Sequence, residues 1–342
     1  MQQLYQKRCP ECNSENFRLH TTYTVQCGEQ RELYQCSDCG AYFSKTKHTP
    51  LAGLRRSVSF IIMVLEALND SMSINAACRT FHVGKNSIRR WLKRLASVKE
   101  TLLLYSLCHQ FLEQFIEGDE LYTRVHHNKP PHESEGWTLV LMDRASRFIW
   151  ELRCGEKERG LFEAAMQLLC QIVEQTEDLA LLTDGERRYG NILFEICQEV
   201  LRTGKPGRPK KVLPAGVKVR IKNKGSQAHK RGRKRPKYEA PWNEHPETEQ
   251  NLEDHDIHAN HTEGFNSAMR RKVSCYRRKT NTYAKKQPAL QTRLDAYWVL
   301  HNFVRPHYTT KLVPAVALGI LKTGLSLQDI FRIQCVRQPV PI

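Results

Sequence analysis

The sequence lacks any apolar run long enough to cross a membrane, and it is short of acidic residues. Its longest apolar run, at positions 60–65, is far below the ~20 residues that a membrane span needs. The first residues have no signal-peptide pattern. The 36 Asp and Glu are outnumbered by 53 Lys and Arg, which gives a net charge of +17. We therefore expect a cytoplasmic, nucleoid-associated, prokaryotic protein that binds a polyanion and makes no membrane contact.

The shortage of acids is concentrated in two stretches. Residues 204–237 contain fourteen Lys or Arg and no acid, and residues 263–286 contain eight basic residues and the single acid Glu263. In a helix, positions three, four and seven apart share a face, so Glu263, Asn266 and Arg270 are predicted to lie together. A lone carboxylate beside such a cationic surface is suited to a metal ion that acts on DNA.

The spacing of four cysteines predicts a structural zinc site. Among twelve cysteines, two Cys-x-x-Cys pairs stand out: Cys9, Cys12, Cys36 and Cys39. Two such pairs can complete a tetrahedral zinc site, and residues 23–27 and 31–35 alternate as two strands around Gly28. We therefore predict a zinc ribbon over residues 1–50, with Cys27 as a spare strand residue. The alternative is a pair of reactive or incidental cysteines. The other cysteines are isolated and expected to act as small apolar side chains.

Residues 51–100 have the pattern of a helix-turn-helix. Helices are predicted over 57–69, 73–81 and 87–95, with a turn at 83–86, and the last helix is cationic. Such a helix is suited to the major groove of DNA. Its predicted DNA contacts are Asn86, Ser87, Arg89, Arg90, Lys93 and Arg94. The alternative is an ordinary helical hairpin with a solvated basic face.

The remaining chain reads as an α/β domain over residues 110–320. Strands are predicted at 115–125, 137–143, 148–153, 179–183 and 217–222, and helices at 156–174, at 187–201 and from Glu263 onward. This is the order of an RNase H-like (integrase-type) core, a mixed sheet flanked by helices. A basic insertion is expected at about 204–257 and a C-terminal tail at 321–342.

In that fold the first strand, the end of the fourth strand and a late helix converge. They would bring together Asp119, Asp184 and Glu263. Each of these acids alone could equally be a solvated surface carboxylate. As an ordered trio they predict a metal-dependent catalytic site.

Several motifs carry a resemblance to a known family. They are GDELYT at 118–123, MDRASRFI at 142–149, LTDG at 182–185, HTEGFN at 261–266, and RKTNTYAK at 278–285 after Arg270 and Arg271. On these residues the chain resembles DNA transposases of the insertion sequence one family, over nearly its whole length. The resemblance implies that Asp119 and Asp184 are the catalytic aspartates, that Glu263 closes a DDE triad, and that Asp143 is only a turn residue.

The resemblance also implies the cofactors and partners. Two Mg²⁺ or Mn²⁺ ions would serve phosphodiester cleavage and strand transfer, with zinc as a structural ion. By fold analogy Asp184 would bridge both ions, Asp119 would complete one site and Glu263 the other. The partners would be double-stranded DNA, as terminal inverted repeats and as target, and further copies of the chain on that DNA.

Other basic residues are predicted to contact DNA. Segments 204–211 and 230–237 resemble AT-hook cores centred on Arg208 and Arg233. They could equally be flexible phosphate-binding loops without sequence preference. Four further contacts are predicted near the acid of the late helix: Arg270, Arg271, Lys285 and Lys286.

Three other functions compete with transposition. A transposase-derived regulator would bind DNA without cutting it, and a structure-selective nuclease on the same fold would cut without joining. A structural nucleoid protein would account for the charge but not for the ordered acids.

Overall fold

The computed structural model describes residues 8–26, 28–127, 129–202, 207–223, 237–278 and 280–335. The chain begins with a three-stranded antiparallel sheet: β1 (Phe17–Thr24), β2 (Gln30–Cys36) and β3 (Tyr42–Ser44). The first two strands start earlier or end later than the alternation predicts, and β3 was not predicted. Cys27, predicted to be a strand residue, lies outside the described residues. This sheet has a small apolar cluster of its own, formed by Cys9, Cys36 and Phe43.

Four helices follow: α1 (Val58–Asn69), α2 (Ile74–Phe81), α3 (Lys85–Ala96) and α4 (Lys99–Leu107). The first three confirm the helices predicted from the apolar spacing. The Ser73 hydroxyl caps α2 by accepting a hydrogen bond from the Ala76 backbone N–H at 3.2 Å. Buried apolar residues of these helices belong to the same core cluster as the large sheet, so the helices pack onto that domain directly.

A six-stranded sheet with flanking helices forms the rest of the molecule. Its elements are β4 (Phe111–Tyr122), β5 (Trp137–Asp143), β6 (Ile149–Gly155), α5 (Arg159–Val173), β7 (Thr176–Thr183), α6 (Arg188–Cys197), β8 (Glu199–Leu201), β9 (Lys210–Val212), β10 (Val217–Asn223), β11 (Lys237–Glu239), α7 (Asn260–Lys272) and α8 (Gln287–Phe303). The strand order is β11-β10-β7-β4-β5-β6, and β8 and β9 form a separate pair.

The two central strands, β4 and β7, run parallel to each other. β10 pairs with β7 in the parallel direction. β5 is antiparallel to β4, and β6 is antiparallel to β5. Leu179 to Thr183 are all buried, as expected of a parallel strand covered on both faces. α5 contacts α6 through Phe162 and Tyr189, whose rings are 5.0 Å apart, and α7 contacts α8 through Phe265 and Tyr297. The fold is therefore a mixed α/β fold.

Two predicted helices have different bounds in the structure. The helix predicted over 187–201 ends at Cys197, because Gln198 is extended and residues 199–201 pair with β9. The helix predicted to open at Glu263 begins at Asn260, which puts Glu263 in its first turn. Both differences come from contacts with distant segments, which a local pattern does not contain.

The C-terminal residues add to the core. α9 (Pro314–Ala317) and α10 (Leu327–Arg332) follow α8. Part of the predicted tail is therefore a helix, and its Leu327, Ile330 and Phe331 are buried. Trp298 and Phe303 of α8 are fully buried. Within the described part of the chain, no helix has the length and apolarity that crossing a membrane requires.

A buried ion-pair cluster joins α4 to the large sheet. The Lys99 ammonium lies 3.2 Å from a Glu151 carboxylate oxygen and 3.0 Å from Asp295 on α8. Burial lowers the pKa of Lys99, but the two negative charges outweigh this effect and the pKa is raised. Lys99→Ala removes the cation that Glu151 and Asp295 share and leaves Glu151 with Arg153, at 3.1 Å, so we expect a loss of about 3 kcal/mol in the free energy of unfolding. Urea denaturation measures the loss, and Lys322→Ala, at an exposed lysine, is the control.

Candidate functional site

Three carboxylates come from three different elements of the large domain. Asp119 lies within β4, Asp184 directly follows β7, and Glu263 lies in the first turn of α7. Gly118 is in register with Thr183, so the two aspartates occupy adjacent positions on neighbouring parallel strands. The Asn266 side-chain amide donates a 2.7 Å hydrogen bond to the Asp119 carboxylate. This bond ties α7 to the face of β4 that carries Asp119.

The carboxylates interact electrostatically. Burial raises the pKa of Asp119 to about 6, and the negative charges of Glu120, Asp184 and Glu263 act in the same direction. The backbone N–H of Glu120 donates to Asp119 at 2.8 Å and opposes this rise. The three carboxylates therefore lie close enough to interact electrostatically, and a cation near them would be stabilised.

Two glycines allow this geometry. A side chain at Gly118 would lie 3.2 Å from the Tyr189 ring of α6, so glycine permits close packing behind Asp119. Gly185 has a φ of +73°, a conformation that L side chains rarely adopt, and it turns the chain away immediately after Asp184.

Glu117 holds the beginning of α7 against β4. Its carboxylate is fully buried and accepts hydrogen bonds from the backbone N–H groups of His261 and Thr262, both at 3.0 Å. These N–H groups lie at a helix N-terminus, where a carboxylate is favoured. The same carboxylate also contacts Arg144 Nε at 2.9 Å and His261 Nδ1 at 2.6 Å. Glu117 therefore fixes the turn that carries Glu263.

Glu117, His258 and His261 form a group that could hold a metal ion, because their ligand atoms lie within 4.8 Å of one another. The Arg144 guanidinium also lies in this group. It donates to Glu117 and to the backbone carbonyls of Asp256 and His258, at 2.7 and 2.9 Å respectively. Burial and the Arg144 charge lower the pKa of His258. The positive charge of Arg144 already satisfies the carboxylate, so the contacts favour a structural role for the group.

Sequence reasoning missed Glu117. The signal was present: acids at positions 117 and 119 are two apart in a strand, so they point to the same face. No role was predicted for His258 or His261. Asp143, predicted as a turn residue, has that role, since its carboxylate accepts from the Ser146 backbone N–H at 2.7 Å and hydroxyl at 2.5 Å.

The four predicted zinc ligands are together. Their sulfur atoms all lie within 4.8 Å of one another. Cys9 and Cys39 sulfurs are 3.6 Å apart, and those of Cys12 and Cys36 are 3.5 Å apart. Zn–S bonds of about 2.3 Å in a tetrahedron place sulfurs about 3.8 Å apart, close to these separations. The cluster could therefore hold zinc.

The predicted DNA contacts of the helix-turn-helix lie on the outside of α3. Asn86, Arg89, Arg90 and Lys93 are exposed, while Ser87 and Arg94 are half-buried. Ile88, Trp91, Leu92 and Leu95 are buried on the opposite side. α3 therefore presents a basic face of the predicted kind.

The other predicted contacts are spread over the surface. Arg208, Arg271, Lys285 and Lys286 are exposed and Arg270 is half-buried. Arg233 and most of the second AT-hook-like segment lie outside the described residues. The Lys285 ammonium lies 3.5 Å from the centre of the Tyr283 ring, and the Arg124 guanidinium carbon lies 4.0 Å from the centre of the same ring.

Comparison of the chain with protein-family models and with curated proteins finds no match. The function of the chain is therefore inferred from its side chains and their placement. The decisive features are the three converging carboxylates, the four-cysteine cluster and the basic face of α3.

The raised pKa of Asp119 has a consequence for stability. Because the folded-state pKa of about 6 lies above the ordinary 3.8, the stability that this group contributes is present below pH 3.8 and lost as the pH rises through 6. In zinc-loaded protein without magnesium, Asp119→Asn should therefore raise the free energy of unfolding at pH 7.5 by about 2 kcal/mol, allowing for partial exposure. At pH 4 the gain should be much smaller. Thermal unfolding at the two pH values measures it, and an equal gain at both would contradict the assignment.

Proposed function

We propose that the chain is a DDE transposase of the insertion sequence one type. It would bind the terminal inverted repeats of a mobile element, cleave DNA at their ends and join them to target DNA. The observation that carries the proposal is the convergence of Asp119, Asp184 and Glu263. They come from the first strand of the large domain, the end of its fourth strand and a later helix. Those are the positions expected of an RNase H-like core, and the chain order β4-β5-β6-α5-β7-α6-β10-α7 supports that assignment.

The three carboxylates fit two Mg²⁺ or Mn²⁺ ions. Carboxylate oxygens are the hard ligands that these ions prefer. Burial, together with the neighbouring negative charges, raises the pKa of Asp119, and a bound divalent cation would stabilise its ionised form. When bound, the ions would stabilise the attacking and leaving oxygens of the phosphodiester in line across phosphorus. The protein supplies the positioning: Asn266 orients Asp119, and Glu117 fixes the turn of Glu263.

DNA recognition would fall to the N-terminal half. The exposed basic face of α3 suits the major groove, and the zinc ribbon adds a second small module beside it. The exposed Lys285 and Lys286, which follow α7 in the chain, would bind the cleaved strand. Because two element ends must be joined in one event, we propose that the chain assembles as a homo-oligomer on DNA.

A strand-transfer assay tests the proposal. Full-length, zinc-loaded protein is incubated with Mg²⁺ and duplexes taken from the borders of the gene. Asp184→Asn and Glu263→Gln should each lower the joined product on the order of 10²- to 10³-fold, as loss of a group that stabilises the transition state does. Glu253→Gln is the matched control, because Glu253 is an exposed acid ten positions before Glu263.

Other outcomes of the assay would favour a different function or remove the acids from the site. Cleavage without joining would favour a nuclease. Tight binding of the border DNA with no metal-dependent product would favour a transposase-derived regulator. Joining at the wild-type rate by either triad variant would remove those acids from the site.

A further inference from the structure

A cavity of about 370 Å³ lies beside α7. It is lined by the last residue of α1, by α7, by the end of α8, by the loop that follows α8, and by Met142 of β5 and Arg147 in the turn between β5 and β6. The α7 residues that line it include Asn260, Gly264, Ala268 and Arg271, which are spaced as one stripe along a helix. Glu263 and Asn266 project from a different side of the same helix.

Four basic side chains line this cavity: Arg147, Arg271, Lys272 and Arg305. Among the described residues that line it there is no Asp or Glu. Part of this charge is compensated, since Arg305 lies 2.7 Å from Asp70 just outside the lining. Burial lowers the pKa of Lys272; the charges of Arg305 and Arg271 act in the same direction, and the charge of Asp70 opposes them. The cations therefore repel one another, and an anion between them would be stabilised.

The cavity has room for a ligand on its α7 side. A β-carbon added at Gly264 would meet no atom within 4 Å apart from its own helix backbone and chain neighbours. Ala268, which also lines the cavity, has a small side chain. At the mouth, Tyr308 is 86% exposed and its ring lies 4.1 Å from the Lys311 ammonium. An exposed ring among cations is suited to contact a sugar or base next to a phosphate.

We propose that this cavity binds one backbone phosphate of the DNA on which the enzyme acts. The proposal rests on the proposed function, because a DNA substrate is what brings a phosphate there. The position favours DNA over a free phosphate ion. The cavity lies where the end of α1, from the DNA-binding helices, meets the helix that carries Glu263. A duplex held by α3 and cleaved at the carboxylates would cross the surface where these two elements meet.

DNA affinity as a function of salt tests the proposal without requiring catalysis. Binding of a border duplex to full-length, zinc-loaded protein without Mg²⁺ is measured by fluorescence anisotropy for wild type, Lys272→Gln and Ala268→Glu. Loss of one phosphate contact should reduce the slope of log affinity against log salt by about 1 and weaken binding about three- to tenfold. Ala268→Glu places a negative charge in the cavity and should weaken binding at least as much. Lys322→Gln, at an exposed lysine outside the lining, is the control.

A methylphosphonate scan locates the contact. Neutralising the phosphate that occupies the cavity should weaken binding by wild type but have no further effect on Lys272→Gln. The proposal would be overturned if Lys272→Gln and Ala268→Glu both bound DNA with the affinity and the salt-dependence slope of wild type. A second result would also overturn the proposal. In it, inorganic phosphate raises the melting temperature of wild type but not of Lys272→Gln, while the two proteins bind DNA with equal affinity. That result would assign the cavity to a free phosphate ion. If the cavity variants weaken DNA binding but wild type joins no strands, the cavity assignment stands and the transposase proposal fails.

Discussion

Removal of zinc is expected to unfold residues 8–44 while the six-stranded sheet stays folded. Among its described residues, the ribbon has three buried apolar side chains, Cys9, Cys36 and Phe43, and two of them are predicted zinc ligands. So small a core cannot offset the conformational entropy of the chain, and a structural zinc site contributes about 10 kcal/mol or more of folding free energy. The helices and the large sheet have a separate, far larger core. Loss of zinc should therefore be local.

The measurement combines limited proteolysis with zinc analysis. Cys36→Ser and chelated wild type should be cut within the ribbon, while a fragment that begins near α1 remains resistant. Affinity for a border duplex should fall in the same samples. Cys108→Ser is the control, because Cys108 is exposed and lies in α4's C-terminal cap. Unchanged resistance of the ribbon without zinc would mean that the four cysteines are not a structural metal site.

Local patterns predicted most of the elements because those elements are set by local physics. α1 has apolar residues at 61, 64, 65 and 68, which all lie on one face of a helix. β5 was predicted with the bounds that it has, since its run of apolar residues is buried on both faces. The two Cys-x-x-Cys pairs predicted a cluster whose sulfur atoms do lie together.

The errors have a common physical cause. The segment 199–201 has the pattern of a helix end but becomes a strand, because β9 offers it hydrogen bonds from across a loop. α7 begins three residues before Glu263 because a carboxylate from β4 satisfies its first backbone N–H groups. Both effects need a partner distant in sequence, and single-sequence patterns do not supply it.

In the candidate site and its surroundings, too, some residues could be predicted from local patterns and others could not. The placement of Asp119, Asp184 and Glu263 could be predicted because each lies in, or directly after, a recognisable element in a recognisable order. The cationic cavity could not, since Asn69, Arg147, Lys272 and Arg305 come from four separate segments. They are brought together by the packing of α1, α7, α8 and the turn between β5 and β6.

Replacing Glu117 should impair strand transfer through the position of Glu263. In Glu117→Ala, the N–H groups of His261 and Thr262 and the Arg144 guanidinium lose their shared acceptor. Loss of one partner of a buried ion pair costs about 3–5 kcal/mol of stability. Beyond this, the first turn of α7 is no longer fixed against β4. We expect the rate to fall on the order of 10²-fold, since small displacements of a catalytic group have effects of that size.

Metal dependence separates this positioning role from simple loss of stability. The rate of strand transfer is measured against Mg²⁺ concentration, well below the melting temperature of each variant. In Glu117→Ala the Mg²⁺ concentration for half-maximal rate should rise, because Glu263 is no longer held at a fixed position relative to the two aspartates. Glu117→Gln keeps one acceptor oxygen for the two backbone N–H groups, so it should recover part of both rate and Mg²⁺ affinity. Glu113→Gln, at an exposed acid of the same strand, should behave as wild type. If Glu117→Ala is less stable but keeps the wild-type rate and Mg²⁺ requirement, then Glu117 holds the fold together without positioning the site.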